Sequence, residues 1–244
     1  MRRIASALPI EPGRFVLEIG PGQGALTEHL LDAGARLTAI ELDAGLAVRL
    51  REGHRGNPNF ELIECDVLDA DLKEIIEGRS GVPALVAGNL PYYITSPILR
   101  KVFDSRPLVS EAVFLVQKEV ALRIVAGPGS PDYGYLSVLC RLHSEPKLLF
   151  SVAAGAFRPP PRVTSAVVRL TMRAGDAPDA RFISFLQSCF RQRRKTLRNN
   201  LSGLYSDETL AAVDANRLRA EQLGVEELRA LWLRLENAGL EARS

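Results

Sequence analysis

The sequence predicts an α/β fold: a mixed, mostly parallel sheet with helices between its strands, followed by a small all-helical domain. Three observations predict it. Short apolar runs alternate with segments of helical period through the first half of the chain, the pattern of βαβ units. Two later apolar runs, PKLLFSVAAGAF and SAVVRLTM, are separated only by RPPPRVT; with no long helix between them they should pair antiparallel, as a hairpin at one edge of the sheet. The composition then turns to Gly, Pro and Asp in RAGDAPDA, 173–180, and everything beyond it is helical, so residues 1–174 and 175–244 are expected to form two domains.

Taken in order, FVLEI (15–19) is an apolar run that ends in GPGQG, the mark of a first strand feeding a tight turn. ALTEHLLDA (25–33) has helical spacing, with Gly34 as its stop. RLTAIELD (36–43) is a second strand, and AGLAVRLREG after it an imperfectly periodic helix. FELIECD (60–66) and ALVAGN (84–89) are the third and fourth strands, ILRKVFD (98–104) a helix, and EAVFLVQ (111–117) a fifth strand followed by a helical KEVALRIVAG. In the second domain RFISFLQSCFRQRRKTLRNNLSGL, DETLAAVDA and GVEELRALWLRLENAG are expected to be helices. No internal repeat interrupts this order.

Composition sets outer limits. The 244 residues are 46% apolar and a quarter charged, ordinary for a globular protein, with a net charge of only +2. No apolar run reaches the length of a membrane span, and the N-terminus lacks the apolar core of a secretory signal, so a cytoplasmic protein is expected. The three cysteines, Cys65, Cys140 and Cys189, are scattered, as are the three histidines. Neither set forms a disulfide framework or metal-ligand spacing, so no metal is expected.

The chemistry gathers at strand ends. Glu18 leads into Gly20, Gly22 and Gly24, which permit a tight turn and close backbone approach by a ligand, although the third glycine falls one position early for a dinucleotide fingerprint. Alone, the loop reads equally as a structural turn. Glu41 closes the second strand about twenty residues on, where a carboxylate can accept ribose hydroxyls. Asp66 closes the third and can accept an adenine amine, or simply cap a helix. All three converge on the carboxyl edge of the sheet, where doubly wound folds bind ligands. The loop offers no lysine to a phosphate. This series resembles the S-adenosylmethionine methyltransferases, and a Rossmann-like methyltransferase fold with S-adenosylmethionine as cofactor is what the resemblance implies.

The fourth strand ends in the unusual stretch GNLPYYITSP. In such an enzyme the Asn89 side-chain oxygen and the Leu90 carbonyl would accept from an adenine N6 amine, Pro91 would fix the turn, and Tyr92 would offer a face for base stacking. Tyr93 is expected to pack. The plainer alternative is a rigid turn closing a strand. With EIGPGQGALT, VQKEVALRI, YGYLSV and FRPPPRVTSAVVRL, the stretch resembles the ribosomal RNA adenine N6,N6-dimethyltransferases, over almost the whole chain. That resemblance implies dimethylation of two adjacent adenosines near the 3′ end of small-subunit ribosomal RNA. It implies cofactor contacts from Glu18, Gly20, Gly22, Glu41, Asp66 and Asn89, and a target adenine clasped by Tyr92 and Phe157 beside Asn89, Leu90 and Pro91. Family members usually open with a basic segment and a Gln-x-Phe-Leu motif that covers the cofactor; this chain opens on MRRIASALP, inside the following helix, and weakened cofactor affinity is the expectation.

FRQRRKTLRNNL, 190–201, carries five basic residues and no acid between Arg191 and Arg198. A solvated helix face is the bland reading. The match to the family's F-x-x-R-R-K-x-L-x-N-x-L implies RNA contacts from Arg193, Arg194 and Lys195, with Phe190, Leu197 and Leu201 packed, and Arg100, Lys101, Arg158 and Arg162 extending the basic surface. The expected partner is small-subunit ribosomal RNA in an immature small subunit, met by a monomer. Competing readings are a large-subunit adenine N6-methyltransferase of the macrolide-resistance type, a non-catalytic RNA-binding assembly factor, and a small-molecule methyltransferase, which would leave the RQRRK run without a role.

Overall fold

The computed structural model describes residues 1–80, 83–156, 163–175, 177–213, 215 and 217–241. Seven strands form one sheet: β1 (Phe15–Ile19), β2 (Arg36–Glu41), β3 (Phe60–Glu64), β4 (Ala84–Asn89), β5 (Val109–Gln117), β6 (Ser144–Val152) and β7 (Ser165–Met172), in the order β3-β2-β1-β4-β5-β7-β6. The first five pair parallel; β7 runs antiparallel to both β5 and β6. The expected hairpin is there, and its second strand is the one that joins the sheet, leaving β6 at the edge. Central strands are apolar on both faces because helices cover both. β1 is buried throughout and β4 everywhere except Asn89, whereas the edge strand β6 has exposed positions along its length.

Helices α1 (Arg2–Ala5), α2 (Thr27–Asp32), α3 (Ala44–Gly53), α4 (Leu72–Glu77), α5 (Thr95–Asp104) and α6 (Lys118–Val125) connect or flank these strands. Polar caps start two of them: Asp43 accepts from the Leu46 N–H, and Asp71 from those of Lys73 and Glu74. On one side of the sheet, Ile4, Ala5 and Leu8 pack with Leu30, Leu37, Leu85 and Val113.

The chain divides into two compact units, residues 1–121 with 144–175, and 122–143 with 176–244. The boundary expected at 174/175 is therefore incomplete: residues 122–143, including α7 (Tyr135–His143), belong with the helical unit. The reason is packing. Tyr133, Val138 and Leu142 are buried in one core with Phe182, Phe185, Leu186 and Cys189 of α8 (Ala180–Cys189), Leu197 and Leu201 of α9 (Leu197–Leu201), Leu210 of α10 (Asp207–Ala212), and Leu228, Leu231, Trp232 and Leu235 of α11 (Val225–Glu241). The i, i+3, i+4 spacing of 182–189 and 228–235 supplies the facing stripes. The Tyr133 hydroxyl donates to the Leu223 carbonyl at 2.8 Å, which satisfies the one polar atom its burial would otherwise strand.

The feature of the sheet that matters most for function is the reversal of strand order at β1. From β1 the chain builds outward through β2 and β3, then returns to place β4 on the other side of β1, which opens a crevice beyond the carboxyl ends of β1 and β4. Ile19 is in register with Gly88 there. A Cβ on Gly88 would lie 2.6 Å from the Ile19 carbonyl oxygen, so only glycine lets the two strands approach. Gly88→Ala is expected to cost about 1–3 kcal/mol of stability by overpacking, read as a lower urea midpoint with an unchanged denaturant slope.

Candidate active site

The glycine loop after β1 is built by a carboxylate from the neighbouring strand. Glu41, at the end of β2, accepts from the Gly22 N–H through Oε2 and from the Asp43 N–H through Oε1, both at 2.9 Å. Gly20, Gly22 and Gly24 all take positive φ, 66°, 58° and 83°, which explains why these three positions carry no side chain. Beneath the loop, Glu18 is buried and accepts from the Thr27 hydroxyl at 2.7 Å. Burial pushes its pKa up from 4.5 to about 7, against the lowering effect of Thr27 and with a smaller raising contribution from Glu41.

A cleft of about 880 Å³ opens over these groups, lined by Glu18, Gly20, Gly22, Asn89, Leu115 and Phe150 among others. It lies wholly within the first unit. Four of the expected cofactor residues thus meet in one cavity. Glu41 and Asp66 are not part of that lining. Glu41 is occupied with shaping the loop, though a carboxylate has lone pairs beyond the two used. Asp66, half-buried after β3, accepts from the Leu68 N–H at 2.8 Å and so holds a local turn.

The NLPYY stretch leaves β4 with its residues sorted by direction. The Leu90 N–H donates to the Leu115 carbonyl at 3.0 Å, extending the ladder to β5 by one bond and drawing the Leu90 side chain inside. The Pro91 carbonyl accepts from the Ile94 N–H and the Thr95 hydroxyl, which winds the chain into α5. Asn89 is left pointing outward into the cleft, and its amide has no hydrogen-bond partner among the described residues. The Tyr92 hydroxyl lies 3.0 Å from that of buried Ser165, which fixes the half-buried ring to the start of β7, outside the lining of the cleft. Tyr93 does not pack as expected; it is 83% exposed, because the turn sends Ile94 and Thr95 inward in its place.

Phe157, Arg158 and Arg162 lie outside the described residues. Arg100 is exposed on α5, but Lys101 is withdrawn from any basic surface: its ammonium donates to the Leu68 carbonyl. The basic run 191–195 is exposed, with Leu197 and Leu201 fully buried and Phe190 packed against the same core. It is a turn, however, and not the helix expected there. α8 stops at Cys189 and α9 starts at Leu197, because the buried Asn200 amide occupies the Cys189 carbonyl at the helix end. Sequence reasoning passed over Asn200, and also Thr27, Arg3 and Phe150. The Arg3 guanidinium stacks over the Phe150 ring, 3.9 Å from its centroid, at the cleft wall. None of these has a local signature; each is defined by a partner distant in sequence or by burial.

A sequence profile described as ribosomal RNA adenine dimethylase matches residues 1–238. The chain belongs to that family. It is 47% identical over 247 residues to a ribosomal RNA small subunit methyltransferase A from Acidobacterium capsulatum, covering 97% of this chain and 86% of that protein. To the protein of the same description from Pseudomonas aeruginosa it is 42% identical, covering 97% and 88%. Among solved structures, a dimethyladenosine transferase from Plasmodium falciparum superimposes with a TM-score of 0.82 at 25% identity, over 97% of this chain and 95% of that one. The 23S rRNA methyltransferase ErmE does so at 0.68 and 30% identity, over 98% and 96%. The enzyme is thus an rRNA adenine methyltransferase by family, and its Rossmann-like sheet, glycine loop and helical C-terminal part follow that membership.

The pKa of Glu18 carries a stability consequence. The folded value lies above the ordinary one, so the contribution is fully present below about pH 4.5 and is lost as pH rises through about 7. Relative to Glu18→Gln, the parent should lose roughly 3 kcal/mol across that window. Urea denaturation of both proteins at a series of pH values checks it; parallel stability curves would show that Glu18 titrates normally.

Proposed function

We propose that this enzyme transfers methyl groups from S-adenosylmethionine to the N6 amines of two adjacent adenosines near the 3′ end of small-subunit ribosomal RNA, acting on an immature small subunit. The observation that carries the reading is the meeting of Asn89 with Glu18, Gly20 and Gly22 around one cleft. The relatives above that share more than 40% of their residues with the chain are named for the small subunit, while the large-subunit enzyme named among the structures shares 30%, which supports the choice of subunit. No helix among the described residues is long and apolar enough to cross a membrane. We place the work in the cytoplasm and assign it to a monomer.

The cleft fits the cofactor. Its volume falls within the range of roughly 300–1,000 Å³ usual for small-molecule sites. Its floor is a glycine turn on which a ligand can lie against the backbone, and Glu18 supplies a buried carboxyl to a cationic ligand. When bound, S-adenosylmethionine would supply an electrophilic methyl group on a sulfonium. Glu18, Gly20, Gly22 and Asn89 would hold it, with Glu41 and Asp66 towards the adenosine end.

The chain's own part is binding and orientation. An adenine N6 amine is a weak nucleophile because its lone pair is drawn into the ring. Acceptors at the Asn89 Oδ1 and the Leu90 carbonyl would take its two hydrogens and favour a more tetrahedral nitrogen. Leu90 is held by its bond to Leu115 and Pro91 by its bonds to Ile94 and Thr95, so the backbone that carries both acceptors is held before substrate arrives. Tyr92, anchored at Ser165, would stack on the base, worth roughly 1–3 kcal/mol. The base must leave its stack to reach the cleft, so the RNA should be unpaired or flipped at the target. Most of the acceleration then comes from proximity and orientation.

Two outcomes are expected. Tritium from methyl-labelled S-adenosylmethionine should enter small subunits that lack the two modifications; incorporation into large subunits instead would overturn the assignment. Asn89→Ala should leave RNA affinity near that of the parent while turnover falls by about two to three orders of magnitude, the scale of losing one directed polar contact to the reacting group. An equal fall in RNA binding would deny Asn89 its place at the target amine.

A further inference from the structure

The basic turn between α8 and α9 has no helix hydrogen bonds to hold it, and its charges repel. Beside one backbone bond, from the Lys195 N–H to the Gln192 carbonyl at 3.0 Å, a single buried side chain supplies the framework. Asn200, 1% exposed, donates through Nδ2 to the Cys189 carbonyl at 2.8 Å and to the Gln192 carbonyl at 3.1 Å, and accepts from the Gln192 N–H through Oδ1 at 3.0 Å. The Asn200 backbone carbonyl accepts from the Arg191 guanidinium at 3.3 Å. One amide thus closes the end of α8 and both polar groups of a turn residue, which a buried asparagine does only when every donor and acceptor is matched.

The five cations of the run are not equivalent. Arg191 is exposed but bends its guanidinium back onto the Asn200 carbonyl. Arg198 pairs with Asp207, Nη2 to Oδ1 at 3.1 Å. Arg193 Nε lies 3.7 Å from Glu221 Oε2. Arg194 and Lys195 are exposed and have no acidic partner among the described residues.

We infer that Asn200 is a positioning residue for RNA: it fixes the 191–195 turn so that Arg194 and Lys195 stand out as a preformed pair of phosphate contacts, while Glu221 partly masks Arg193. This rests on reading the turn as an RNA surface. Composition alone spreads the role over the whole run; the geometry concentrates it on two residues and makes a third conditional. Holding the loop before binding spares the ordering cost that a mobile basic segment would carry into the complex.

The test is a salt series of binding to small-subunit ribosomal RNA, with S-adenosylmethionine affinity and methyl transfer at saturating RNA measured in parallel. The Arg194→Ala, Lys195→Ala double variant should lower the slope of log affinity against log salt by about 1.5, near the value for two phosphate contacts. Asn200→Ala and Asn200→Asp should lose a similar slope and raise the KM for RNA, with cofactor affinity and saturated turnover kept. Arg198→Ala should keep the parent slope. Glu221 also lies 3.9 Å from Arg219, so Glu221→Gln is made in an Arg219→Ala background; it leaves Asn200 intact and should steepen the slope by nearly 1 as Arg193 is released. An unchanged slope in the double variant would overturn the RNA surface itself. A lost slope in the double variant with a parent slope in folded Asn200 variants would overturn only the positioning role. If Asn200→Ala does not fold, an unchanged slope in Glu221→Gln overturns the assigned division of charges.

Discussion

The close approach of β1 and β4 at their carboxyl ends is the constraint on which the site depends. Gly88 has no Cβ, so its backbone can lie against the Ile19 carbonyl, and the residues that follow on each strand, Gly20 and Asn89, are delivered to the same crevice. One strand contributes a glycine turn and the other an outward-facing amide. A sheet that opened by the width of a methyl group here would move Gly20 away from Asn89.

A second layer holds each half in shape. Glu41 reaches across from β2 to pin Gly22 and Asp43, so the glycine loop is held by a neighbouring strand end and not by its own residues. Leu90 and Pro91 are tied by backbone bonds to β5 and α5, leaving Asn89 as the outward member of the stretch. The helical unit follows the same logic at Asn200, where one buried amide stabilises a turn whose charges oppose its formation. At Glu41 and at Asn200 a polar side chain is spent on backbone groups.

Much of this was legible in the chain. The strands β1, β4 and β5 stand out as apolar runs bounded by Gly, Asn or Gln, and the glycine loop, Glu41, Asp66 and NLPY mark the carboxyl edge. Less legible was what each marked residue does. Glu41, expected at a ribose, has the further task of pinning a loop; Tyr93 was expected to pack and is exposed; Lys101 was expected on a basic face and bonds a loop carbonyl. A residue type and its place at a strand end say which chemistry is at hand. They do not say which of several nearby partners takes it, since that depends on distances set by segments far away in sequence.

The sequence by itself determined the order of the strands, the family, and the group of residues from which the site is drawn, because hydrophobic period, turn residues and motif spacing are local properties; it did not mark the helices α4 and α7. Only the tertiary structure decided that residues 122–143 join the helical unit, that the RQRRK run is a turn, and that Glu18 and Asn89 share a cleft while Glu41 and Asp66 do not line it. An apolar stripe looks the same whichever core it enters, and a basic run looks helical until a buried amide at Asn200 takes the carbonyl that would have continued the helix.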